Sequence, residues 1–216
     1  MAIARVAFAD GTPSSIDQAN VTIGTWAAGD TCLINVRWYG TQTISTLTFT
    51  GESNPTVLGS PQTGGPDNAR SQWALLSNVT GTGSKTAAVT LSGTPSQVCM
   101  AMWRLSGCDT AGAEDARNGA TSTSSTPSVS VTTNTASTAI LAMMSNNNGP
   151  ATAGGAYTQE TVVDAHRYDD CEYDIDAGAA GAKTVDFSLG GSGLWVINAI
   201  AIKAPSTGPR YILGTH

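Results

Sequence analysis

The chain has 216 residues and a formal net charge of −6, a length that suits one all-β domain whose core needs neither disulfide nor metal. Only 12% of the residues are charged, half the usual ~25%; polarity comes instead from 30 Thr, 21 Ser and 24 Gly, a mixture that favours strands and turns. Three lysines in an acidic chain leave no footprint for a phosphate backbone, and no apolar run reaches the ~18 residues of a membrane-spanning helix, so neither nucleic acid nor membrane is expected as a partner.

In chain order, residues 1–10 are too short and interrupted for a signal peptide. Residues 1–19 read as an N-terminal arm, 20–204 as the core of a single domain spanning 1–216, and 205–216 as a C-terminal tail. Cys32, Ile34, Val36 and Trp38 alternate with Leu33, Asn35 and Arg37, which predicts a half-buried strand. Strands are also predicted over 43–49, 71–79, 85–91 and 97–105, the last of them central. Gly59, Pro61, Gly64, Gly65 and Pro66 make 59–66 an exposed loop. Residues 111–117 are the one stretch that could form a helical turn or two. Beyond it, strands are predicted over 128–133, 138–145, 157–164, 168–176, 183–189 and 194–203. The 138–145 strand is apolar on both faces and should be covered on both; 168–176 looks like an edge.

A weak repeat runs through this pattern. Lys85-Thr86 opens an alternating strand that ends at Leu91, a turn follows, and the apolar run 98–105 closes the first half; Lys183-Thr184, Leu189 and the apolar run 194–203 do the same for the second. The Ser/Thr segment 121–126 joins them. Two sheets facing each other would cover the apolar side of each half, so the chain reads as one two-sheet β-sandwich built from two similar halves.

Catalytic motifs are missing: 190–194 fails the nucleophile-elbow pattern at its last position, and no phosphate loop or H-E-x-x-H is found. Asp164 and His166 would share a strand face, but no nucleophile is singled out for them, and His166 reads as a surface residue. Cys32, Cys99, Cys108 and Cys171 lack zinc spacing. They read as buried thiols, with a Cys99–Cys108 bridge as the alternative. Glu160, Asp164, Asp169, Asp170, Glu172, Asp174 and Asp176 are opposed only by Arg167. The plain reading is a self-repelling sheet edge; a Ca²⁺ site or an acidic docking face are the alternatives. Trp38, Trp103 and Trp195 sit among apolar neighbours and read as core, whereas Trp26 and Trp73 are freer and could stack on a sugar. No catalytic residue, cofactor-binding residue, metal ligand or cofactor is assigned.

Ala27-Ala-Gly-Asp30, the stretches 85–95 and 98–107, and Trp195 to Lys203 together resemble a jelly-roll-like β-sandwich family of accessory proteins in tailed-phage virions. The resemblance implies a non-enzymatic virion structural protein, foremost a capsid decoration or cement protein. Such a protein would be assembled in the host cytoplasm, would bind the major capsid protein or other virion proteins, and would form a homo-oligomer. Alternatives are a carbohydrate-binding module of a tail fibre or tail tip, and a sandwich-fold hydrolase. Tyr211, Ile212 and Leu213 in the tail are expected to dock on a neighbour.

Overall fold

The structure, a computed structural model, describes residues 2–160, 162 and 168–206. The first half contains β1 (Ala4–Asp10), β2 (Gln18–Ile23), β3 (Thr31–Tyr39), β4 (Ile44–Phe49), β5 (Thr56–Val57), β6 (Gln62–Thr63), β7 (Ala69–Leu76), β8 (Lys85–Leu91) and β9 (Gln97–Ser106). They form one sheet in the order β1-β9-β3-β7-β5, with β6 also on β7, and a second in the order β2-β8-β4. The second half contains β10 (Glu114–Ser124), β11 (Ser128–Thr133), β12 (Ala139–Asn146), β13 (Thr152–Ala153), β14 (Thr158–Glu160), β15 (Tyr168–Asp174), β16 (Gly181–Ser188) and β17 (Gly193–Ile202). Its sheets run β10-β17-β12-β15-β14 and β11-β16-β13. Every described pairing is antiparallel, and, β6 apart, the order of the second half repeats that of the first strand for strand.

The repeat extends to an irregularity. β1 slips register between Arg5 and Ala7, opposite Leu105 and Arg104; β10 slips between Glu114 and Ala116, opposite Ile202 and Ala201. A bulge pins register, so these two align the halves residue by residue. Thr31 faces Leu105 and Ala139 faces Ile202, which makes Cys32 the counterpart of Ile140. Their partners on the next strand are Leu76 and Asp174, so Ala74 matches Glu172 and Ser71 matches Asp169.

The all-β sandwich expectation holds, but each half is a two-sheet sandwich by itself, where a single one was expected, and the two larger sheets pack against each other, giving four layers. The even residues of β3 (Cys32, Ile34, Val36, Trp38) meet Val21, Leu47, Phe49 and Val89 of the first outer sheet. On its odd side, Leu33 joins Trp73, Trp103, Leu141, Met143 and Ile200 in a core shared by both halves. A third core lies between the second half's sheets, around Ile140, Val185, Phe187 and Ile197. All nine residues of β3 and all eight of β12 are therefore buried. This holds for 138–145 as expected and corrects the half-buried reading of β3, whose polar alternates Asn35 and Arg37 face the other half, not water.

Other expectations change with the layers. Residues 4–10, read as part of an arm, form a sheet strand against β9. Residues 114–117, read as a possible helical turn, open the edge strand β10. The 59–66 loop includes β6 and leads into a short 3-10 turn, Pro66–Asn68. β15 is no edge, because β14 pairs along its outer side.

Candidate functional site

The charges missing from the surface reappear between the halves. Arg37 and the side chains of Asp10 and Asp169 are almost entirely buried. Arg37 Nη2 lies 2.5 Å from Asp10 Oδ1, and Nη1 lies 3.0 Å from Asp169 Oδ2. Tyr39 donates its hydroxyl to Asp169 Oδ1 at 3.1 Å, Ser145 donates to the same oxygen, and the Cys99 thiol donates to Oδ2 at 3.7 Å. Burial alone would weaken the hold of Arg37 on its proton, but Cys99, Asp169 and Asp10 reverse this and raise its pKa. Nearby, Ser71 donates to Asn35 and Asn198 donates to the Ser71 carbonyl, so hydrogen bonds extend the seam across the halves.

A cleft of about 350 Å³ opens beside this seam, lined by Gln159, Glu160, Val162, Asp169 and Asp170. Arg5 of β1 closes one side with a two-pronged bond to Glu160, 2.6 and 2.7 Å, and its guanidinium lies over the rings of Phe8 and Tyr173. The acids of the cleft are engaged with the protein itself: Asp170 accepts from the Ala151 amide at 3.0 Å and from Gln159 at 3.2 Å.

On the opposite side of β15, Glu172 is fully buried between the second half's sheets. Its Oε2 accepts from the Gly154 amide at 2.9 Å, while Oε1 has no hydrogen-bond partner among the described residues. Burial, with the Asp186 carboxylate adding to it, pushes its pKa up to about 8. Tyr157 is raised as well, by burial first and then by Glu172, Asp174 and Asp186.

The acidic run is thus divided among three environments. Asp169 is in the seam, Asp170 and Glu172 are buried facing the outer sheet, and Asp176 is exposed in a turn where its carboxylate accepts from Gly178. The solvated-edge reading fails for the middle of the run, because β14 pairs along the edge of β15 while the first half covers one face and the second half's outer sheet the other. Among the described residues no His, Cys, Asp and Glu group has the arrangement to hold a metal ion. Asp164, His166, Arg167, Tyr211, Ile212 and Leu213 lie outside the described residues. Trp26 and Trp73 are not free: Trp26 stacks edge-on to Phe49 and Trp73 packs 5.6 Å from Trp103, both in the core. All four cysteines are buried and unbridged, so Cys99 and Cys108 form no disulfide. The seam escaped the sequence reading, although Arg37 inside an apolar alternation was its signal.

No family model, no curated protein and no solved structure matches the chain. No described helix is long and apolar enough to cross a membrane.

Proposed function

We propose that this protein is a non-enzymatic structural component of a phage virion, a decoration or cement protein on the outside of the head. The observation that carries the reading is the texture of the outermost layers. On β2, β8 and β4 the outward residues stand in registered rows, Gln18-Thr90-Thr46 and Asn20-Ala88-Thr48, with Thr22 beside Thr86. On β11 and β16 the outward set is Ser128, Ser130, Thr132, Ala182 and Thr184, with Asp186 at the far end. Such faces dock against another protein with little charge to desolvate. In the first half consecutive long strands alternate between the two sheets and the last returns beside the first; the second half follows the same order with the two-residue β13 in the place of β4. That order supports the jelly-roll reading. The sugar-binding alternative loses its two stacking candidates with the burial of Trp26 and Trp73.

A cement protein bridges assembled subunits, so its binding free energy belongs to the shell and not to the free subunits. Particles lacking it should release DNA at a lower temperature than complete ones, and added salt should weaken attachment only modestly because few charges are available. Unchanged heat resistance combined with lost adsorption to cells would overturn the head assignment.

A further inference from the structure

The duplicated fold exposes one substitution by comparison with itself. Ala74 lies fully buried between the sheets of the first half, and its counterpart in the second is Glu172, equally buried. A carboxyl has replaced a methyl at a core position. The sheet above it differs too. In the first half β4 pairs with β8 from Ile44 to Phe49; in the second, β13 pairs with β16 only through Thr152–Ser188 and Ala153–Phe187.

The segment 151–157 is a strap held at few points. Ala151 donates its amide to Asp170 and accepts from Gln159 at its carbonyl, Ala153 donates to Gln159 at 3.4 Å, Gly154 donates to Glu172, and the Tyr157 hydroxyl donates to the Thr184 carbonyl at 3.1 Å. Gly154 passes so close to β16 that a Cβ there would lie 2.5 Å from Asp186 Oδ1 and 2.6 Å from the Asp186 carbonyl. Among the described residues, the titratable groups around Glu172 are acidic. Asp170 and Asp174 share its strand face, Asp186 comes from β16, and Tyr157 from the strap. Its cross-strand neighbours Ala142 on β12 and Gln159 on β14 are uncharged. Lys183, on β16, makes no ion pair with it among the described residues. A carboxylate here would be buried, near other carboxylates, with only backbone amides, those of Gly154 and Asp186, to answer it, which is a costly state.

We propose that Glu172 is a proton-operated latch: carrying its proton it lets the strap 151–157 lie on β16, and on losing that proton in mildly alkaline solution it drives the strap off. The opened state bares the backbone edge at Ser188, which Thr152 covers, a template on which another strand can pair. The strap is the part to open because only two ladder pairs hold it to β16.

The test follows Ala153 and Gly154 by amide hydrogen exchange on the full chain at pH 6 and pH 9, corrected for intrinsic exchange, alongside a carboxyl-carbon NMR titration of Glu172. Protection at these amides should fall at least tenfold at pH 9 in the natural chain. It should be independent of pH in Glu172→Gln and in Glu172→Ala, the second carrying the residue that the first half uses. The Glu172 carboxyl should titrate above pH 7. A midpoint below pH 5, protection that does not change with pH in the natural chain, or the same loss in either variant would each overturn the latch.

Discussion

Glu52 accepts from the Lys85 ammonium at 2.7 Å, from the Thr80 amide and hydroxyl at 3.0 and 2.8 Å, and from the Gly81 amide at 2.7 Å. Burial pushes its pKa upward, but these donors, Lys85 foremost, outweigh it and hold the group down at about 2. Glu172 is the opposite case: backbone donors answer its burial only in part, and its pKa is about 8. A free Glu titrates near ~4.3, so the two groups give stability opposite slopes. For Glu52 the unfolded chain binds the proton more tightly, so its contribution is complete above ~4.3 and is lost as pH falls toward 2. For Glu172 the folded chain binds it more tightly, so stability declines from ~4.3 up to about 8, by at most ~1.4 kcal/mol per pH unit. Denaturant titrations across pH should show Glu172→Gln flattening the alkaline limb and Glu52→Gln flattening the acid limb. Crossed effects, each variant flattening the wrong limb, would contradict both environments.

At the scale of elements, β3 illustrates what alternation conveys. Its even residues were legible as core, and so were the strands over 85–91, 128–133 and 194–203, because period two with β-branched residues has few other solutions. What its odd residues do was not legible. Leu33, Asn35, Arg37 and Tyr39 look like a wet face until a second sandwich covers them, and nothing local in the sequence announces that cover. The same gap hid the seam, since Asp169 meets Arg37 only through the packing of β15 on β3. Short elements such as β5, β6 and β13 were missed because two residues carry no period. The seam ties β3 to β1 and β15 at once, and its removal should be felt accordingly. Arg37→Met leaves Asp10 and Asp169 buried without their cation and should cost about 3–5 kcal/mol in equilibrium unfolding. Adding Asp10→Asn and Asp169→Asn should recover part of that loss, because the uncompensated charges go too. A single variant as stable as the natural chain would mean that the three groups are not coupled.

For the whole molecule, the repeat was visible only as a motif, Lys-Thr followed by alternation and an apolar run. Its meaning as two complete sandwiches rests on strand order and on matched bulges, neither of which a single sequence displays. The halves are not independent bodies. Leu33, Trp73 and Trp103 from one and Leu141, Met143 and Ile200 from the other fill a common core. Area buried there belongs to both, so unfolding should be cooperative across the halves.

That common core has a consequence in time. β9 ends at Ser106, so every strand of the first half is synthesised before β10 begins at Glu114. Synthesis proceeds at about 5–20 residues per second, and for the seconds that the second half takes to appear, the first can be folded yet bare on one side. The bare side presents Leu33, Trp73, Trp103 and Leu105, a patch of the kind that recruits chaperones or a second nascent chain. A chain cut after residue 108 is therefore expected to fold its outer sandwich and to self-associate through the inner sheet, with Trp73→Asp weakening that association. Sedimentation showing a folded, monomeric 1–108 fragment would mean that this sheet can face water unaided.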